Sequence, residues 1–155
     1  MSITCSATGI ILGAKSFRNE YDGHTIEASL EQVERLTKRK IKILAGDRGY
    51  RGRKEINGTK ILIPDTPKKS DNRYQRLKKH KLFRKRAGIE PTIGHLKSDY
   101  RLGRNFYKGV TGDAMNILFA AVAYNFKRAM KALWDFIKKV SGISYTEDIS
   151  LKWAF

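Results

Sequence analysis

Between Lys68 and Lys108 the chain carries fourteen Lys and Arg against three acids, a net +11 out of +17 for all 155 residues. Charge this dense cannot enter an apolar interior, because a buried cation needs a partner or carries a large desolvation penalty. The stretch must therefore lie at a surface, and its apolar positions (Leu77, Leu82, Phe83) are sparse. It reads as two helices, about 71–86 and about 90–101, broken at Ala87-Gly88. Pro91 disfavours helix at the residue before it but suits a first helical turn. Glu90 then sits at or just before a helix N-terminus, where a carboxylate is electrostatically favoured, unless the helix runs through with a kink.

The overall balance, 32 Lys+Arg to 15 Asp+Glu, points to a polyanionic partner, most simply nucleic acid. A membrane-surface role fits less well, because the charge is not confined to one helix face and no lipidation signal is present. With 41% hydrophobic and 30% charged residues the chain is globular and long enough for one domain. Cys5 is the only cysteine, which excludes an internal disulfide and suits a reducing cytoplasm. His24, His80 and His95 lack zinc-ligand spacing. No run of ~18 apolar residues can span a membrane.

Along the chain, residues 2–17 read as a hairpin turning at Ala7-Thr8-Gly9. Thr25 to Lys38 reads as a helix with an apolar stripe of Ile26, Leu30, Val33 and Leu36, capped by Asp22 or Thr25. Lys40 to Gly46 is a short strand ending at Asp47, Arg48 to Gly52 a loop, and Thr59 to Ile63 a further strand closed by Pro64. This order gives an α/β fold, a mixed sheet flanked by helices. Asp113 to Lys139 is the longest helix, ended by Gly142. Its segment Ala114–Tyr124 is apolar nearly all round and is expected to be buried, with Trp134 and Phe136 in a core or an interface. Residues 141–155 form a C-terminal tail that packs on the domain or frays.

Two acids stand out. Asp47 closes an apolar strand and precedes Arg48-Gly49-Tyr50-Arg51-Gly52, whose glycines let backbone approach a ligand. An Asp there is also an ordinary turn residue. Glu90 follows Arg86 by four residues and precedes Lys97 by seven, so the three share one helical face. That pattern suits a salt bridge. It equally suits a site in which Asp47 and Glu90 hold Mg²⁺ or Mn²⁺ through oxygen ligands while Arg86 and Lys97 contact phosphate. His95 could orient a phosphate, though a lone His is more often structural.

Gly46 to Gly52 and Phe83 to Lys97 together resemble the DDE transposases of the IS4/IS5 group of bacterial insertion sequences. That group carries a signature of Tyr, two residues, Arg, three residues, Glu, six residues, Lys. Phe83, Arg86, Glu90 and Lys97 stand at those spacings, with Phe for Tyr. Asp47-Arg48-Gly49-Tyr50 matches the motif at the second catalytic Asp, and Asn19 to Thr25 resembles a segment that precedes it. The similarity runs from about residue 9 to about residue 130.

The resemblance implies an RNase H-like fold over residues 1–140, with the basic helical region 65–108 inside it. Asp47 matches the second metal-binding carboxylate and Glu90 the third, with Arg86 and Lys97 assisting and Arg84, Lys85, Lys97, Arg101 and Arg104 on DNA. The first carboxylate belongs to an early central strand, and no acid precedes Glu20 here. The chain is thus expected to be an N-terminally truncated catalytic domain. It would bind transposon ends but cleave little or nothing alone, with a sheet edge open to another chain or to the missing N-terminal part. Two other readings remain: a non-catalytic nucleic-acid-binding protein using the basic stretch, and a small complete nuclease with Asp22 as its first acid.

Overall fold

In the computed structural model, which describes residues 1–17, 22–47, 49, 54–63 and 66–142, the chain opens on a hairpin. Strands β1 (Ser2–Cys5) and β2 (Ile11–Lys15) pair antiparallel, with the register shifting between Thr4 and Cys5. Gly9 takes a left-handed φ of 79°, and the Ser6 N–H donates to the Ile10 carbonyl at 2.8 Å to close the turn.

Helix α1 (Asp22–Thr37) lies on this hairpin. Ile26, Leu30 and Val33 are buried as their spacing predicts, whereas Leu36, expected in the same stripe, is 60% exposed. Thr25 falls inside the helix, not at its cap. The approach is close because Gly13 has no side chain: a Cβ there would meet Val33 Cγ2 at 2.8 Å.

The second sheet holds β3 (Ile43–Ala45), β4 (Glu55–Ile56) and β5 (Thr59–Leu62) in the order β3-β5-β4, parallel then antiparallel. β4 was not among the expected strands. Asn57 and Gly58, with φ of 49° and 81°, make the two-residue turn that joins it to β5. The mixed α/β architecture stands, but the strands form two sheets and not one.

The C-terminal half is helical. α2 (Arg73–Ala87) begins at Asn72, whose side chain accepts from the Gln75 N–H at 2.8 Å while Gln75 accepts from the Asn72 N–H. It buries none of its residues, as its charge requires. α3 (Ile89–Ser98) follows after Gly88 alone, and α4 (Gly109–Ser141) ends at Gly142 with φ 63°. The expected tail beyond residue 142, including Trp153 and Phe155, and the loop 48–52 apart from Gly49 lie outside the described residues.

Two apolar clusters hold these elements together. Ile11 and Ala14 of the hairpin meet Leu96 of α3 and Ile117, Ala120, Ala121 and Tyr124 of α4, while Ile26 and Leu30 of α1 meet Ile56 and Ile61 of the second sheet. Only one side of the 114–124 segment is covered. Leu118, Phe119 and Val122 are 46%, 59% and 58% exposed, which corrects the expectation that the whole segment is buried. Trp134 and Phe136, at 54% and 62% exposed, are not core. Apolar periodicity marks a face that can be buried but not whether anything covers it.

Asn125 ties α4 to the hairpin. Its amide oxygen accepts from the Ile11 N–H at 2.9 Å and its amide nitrogen donates to the Ile11 carbonyl at 2.8 Å, as a neighbouring strand would. Asn125→Ala removes both partners of a half-buried backbone unit. It should lower the unfolding free energy by about 2 kcal/mol, read as a lower urea midpoint at constant m. A midpoint equal to the parent's would contradict the assigned role.

Candidate functional site

β3 delivers Asp47 to the edge of the second sheet. Gly46 is buried and its N–H donates to the Leu62 carbonyl at 3.0 Å, so the strand pairing extends one residue past β3 and Asp47 is the next residue. α3 is oriented by its other face. Leu96 is fully buried, and Thr92 is buried with its hydroxyl 3.3 Å from that of Tyr124. Glu90, two residues before Thr92, lies in the first turn of α3 and points to solvent. Pro91 sits in that same turn, where its missing N–H costs no helical bond.

Arg86, in the last turn of α2, joins the two acids. Its Nη2 lies 3.0 Å from Asp47 Oδ2 and its Nη1 2.9 Å from Glu90 Oε1. The four-residue spacing from Arg86 to Glu90 survives the helix break because Gly88 keeps helical angles, φ −62° and ψ −15°. Sharing one planar guanidinium keeps the two bonded oxygens within about 8 Å of each other. The Arg86 side chain is 25% exposed, against 55% for Asp47 and 60% for Glu90, so the cluster is open to an incoming ligand.

The donor set suits a hard cation. Mg²⁺ takes oxygen ligands and often uses only one or two carboxylates, completing its shell with water and substrate phosphate. Asp47 and Glu90 supply such a pair, and the cation now between them is Arg86. Among the described residues no group of three or more His, Cys, Asp or Glu is arranged to hold a metal. Glu55, the one acid on a described strand, lies on β4, with β5 between it and β3. The Asp22 side chain, the alternative first acid, lies outside the described residues.

The other residues singled out from the sequence are placed as follows. Arg84 and Lys85 are exposed on the turn of α2 that carries Arg86. Lys97 is exposed two turns beyond Glu90 on α3. Arg101 and Arg104 are exposed after α3, with Arg101 at a left-handed φ of 55°. His95 pairs instead with Asp99, Nδ1 to Oδ2 at 2.9 Å. Hydrogen bonds from Ser98 and then from His95 hold the Asp99 carboxyl below the usual carboxylate range. Sequence reasoning missed Thr92 and Tyr124, which set the rotation of α3, although the four-residue step from Thr92 to Leu96 marks the buried face.

An ordinary salt bridge and a ligand site differ in what loss of Arg86 costs. Because both carboxylates are more than half exposed, Arg86→Ala should lower stability by less than about 1 kcal/mol. Urea unfolding measures this, and a loss well beyond that would make the cluster a structural element.

A family model described as a transposase DDE domain matches residues 1–126. No curated protein and no solved structure matches the chain. The matched span contains the two sheets, helices α1 to α3, the part of α4 that packs on the domain, and the Asp47–Arg86–Glu90 cluster. The chain belongs to the transposase DDE-domain family.

Proposed function

We propose that Asp47 and Glu90 are two of the three carboxylates of a DNA-cleaving and strand-transfer site on an RNase H-like fold of the IS4/IS5 group. These residues would be the C-terminal part of that catalytic domain. The observation that carries this is the meeting of two acids, one from a strand end and one from a helix start, on the guanidinium of Arg86. When bound, Mg²⁺ or Mn²⁺ would activate the attacking oxygen and stabilise the leaving one.

The chain's own residues hold and orient. Asp47, at the end of paired backbone, and Glu90, on a docked helix, fix two oxygen ligands on rigid elements. Arg86 offsets their mutual repulsion and offers a planar fork of N–H donors to a phosphate arriving between them. Arg84, Lys85, Lys97, Arg101 and Arg104 contact the phosphates of transposon-end DNA on either side.

A third carboxylate would come from a strand outside these residues. Among the described residues β1 pairs only with β2 and β3 only with β5, so each has an unpaired edge. The other edge of β2 is met by Asn125 at Ile11. These open edges support a sheet completed by one more strand, and without its acid the present residues should cleave DNA little or not at all. A second reading, nucleic-acid binding that needs neither acid, draws support from α2, whose cations serve no core.

Duplex DNA binding should weaken steeply with salt. Replacing Arg84 and Lys85 by Ala should reduce the slope of log K against log salt by about 2. Fluorescence anisotropy reads both, and binding indifferent to salt would contradict the interface. In a Mg²⁺-dependent nicking assay the chain should show little or no cleavage. Robust cleavage abolished by Glu90→Ala would overturn the incomplete-site reading in favour of a complete nuclease.

A further inference from the structure

The segment between α3 and α4 places one aromatic ring in water and holds it there. Tyr100 and Leu102 pack on the cluster around Leu96, whereas Phe106, four residues later, is 76% exposed. The backbone on both sides of Phe106 is fixed. The Leu102 N–H donates to the Leu96 carbonyl and the Arg104 N–H to the Arg101 carbonyl, each at 3.0 Å. The Asn105 amide nitrogen donates to Asp113 in the first turns of α4, and its amide oxygen accepts from the Tyr107 N–H at 3.0 Å. Tyr107 lies hard against α4, since a Cβ on Gly112 would meet Tyr107 Cβ at 2.6 Å. Backbone already held in place loses little further freedom when a ligand binds.

A single exposed apolar side chain needs no explanation by itself. The charge around this one does. From Tyr100 to Gly112 the chain has three cations, Arg101, Arg104 and Lys108, all exposed, and no acid. A Cβ on Gly103 would lie 3.9 Å from the Lys97 carbonyl oxygen, so the segment folds back on the last turn of α3, where Lys97 is exposed as well. Asp99, on that side, is engaged by His95 and Ser98. A ligand that satisfies both the ring and the cations carries a flat apolar face and a negatively charged backbone, which is the make-up of a nucleic-acid strand. Inside a duplex the neighbouring pairs cover both faces of every base, so the ring fits a base that is unpaired, and unpairing one costs free energy that a single strand does not have to supply.

We propose that Phe106 stacks on an unpaired base of a DNA strand whose phosphates are held by Arg101, Arg104 and Lys108. This rests on the DNA-binding reading of the basic stretch and not on metal chemistry at Asp47 and Glu90. α3 carries Glu90 at one end and this segment at the other. The helix between them is roughly 13 Å long, about four nucleotides along a strand. A strand lying along α3 meets the carboxylate and then the ring, and Phe106 favours DNA that is open beside the acids over closed duplex.

Fluorescence anisotropy of the full 155-residue chain with two probes tests this. One is single-stranded oligothymidine of about twenty nucleotides, which spans more than one such binding site. The other is a mixed-sequence duplex of about forty pairs, whose ends are a small share of its sites. Phe106→Ala should weaken oligothymidine binding by about tenfold and duplex binding by less than about twofold, with the thermal melt kept. Phe106→Trp should restore the loss. The salt slope should not change in Phe106→Ala, which removes no charge, but should fall by about 1 on oligothymidine in Arg104→Ala. With 5-iodouracil in place of thymine, irradiation should cross-link the strand at Phe106. Oligothymidine binding unchanged in Phe106→Ala, or an equal loss on both probes, overturns the proposal while leaving DNA binding in place. A parent chain that binds neither probe overturns the DNA-binding reading and this inference with it.

Discussion

The docking of α3 on α4 decides what the rest of the surface can do. Leu96 is wholly inside the cluster formed by the hairpin and α4, and Thr92 reaches the hydroxyl of Tyr124. Two contacts four residues apart fix a helix against rotation. With that face inward, Glu90 and Lys97 must face out. The single residue between α2 and α3 then brings Arg86 within reach of Glu90. Asp47 arrives from another direction, off a strand whose last hydrogen bond is made by Gly46. A guanidinium between two acids is thus the product of two separately anchored elements.

That origin bears on whether the cluster is a salt bridge or a site. Exposed ion pairs contribute little to stability, so the energy of these contacts does not account for their placement. What the placement does supply is two carboxylates on one guanidinium, held by elements whose anchors lie elsewhere. Family membership gives that arrangement a context in DNA transposition. The cations of α2, which bury nothing, and those after α3 add a basic surface beside it.

Much of this was legible in the sequence because it rests on local rules. The hairpin, α1, the break at Gly88 and the stop at Gly142 follow from turn residues and apolar spacing. β4 was also legible, since Asn57-Gly58 is a two-residue hairpin turn, but a strand of two residues gives no alternation to notice. Other features were not. Nothing local joins Asp47 to Arg86 or Asn125 to Ile11, because both contacts depend on how distant elements pack. Leu36 and the outer side of α4 have the apolar character of core residues and stay at the surface, since a periodic pattern names a face and not its cover.

On the proposed reading Asp47 and Glu90 act together as ligands for a divalent cation. Mn²⁺ is the direct probe, because it takes the same oxygen ligands as Mg²⁺ and broadens the resonances of nearby nuclei. Titrated into the isotope-labelled chain, it should first broaden amides around Gly46-Asp47 and Ile89-Glu90 together, and Glu90→Gln should abolish the effect at both. Broadening at only one of the two segments, or broadening that Glu90→Gln leaves unchanged, would contradict a shared site.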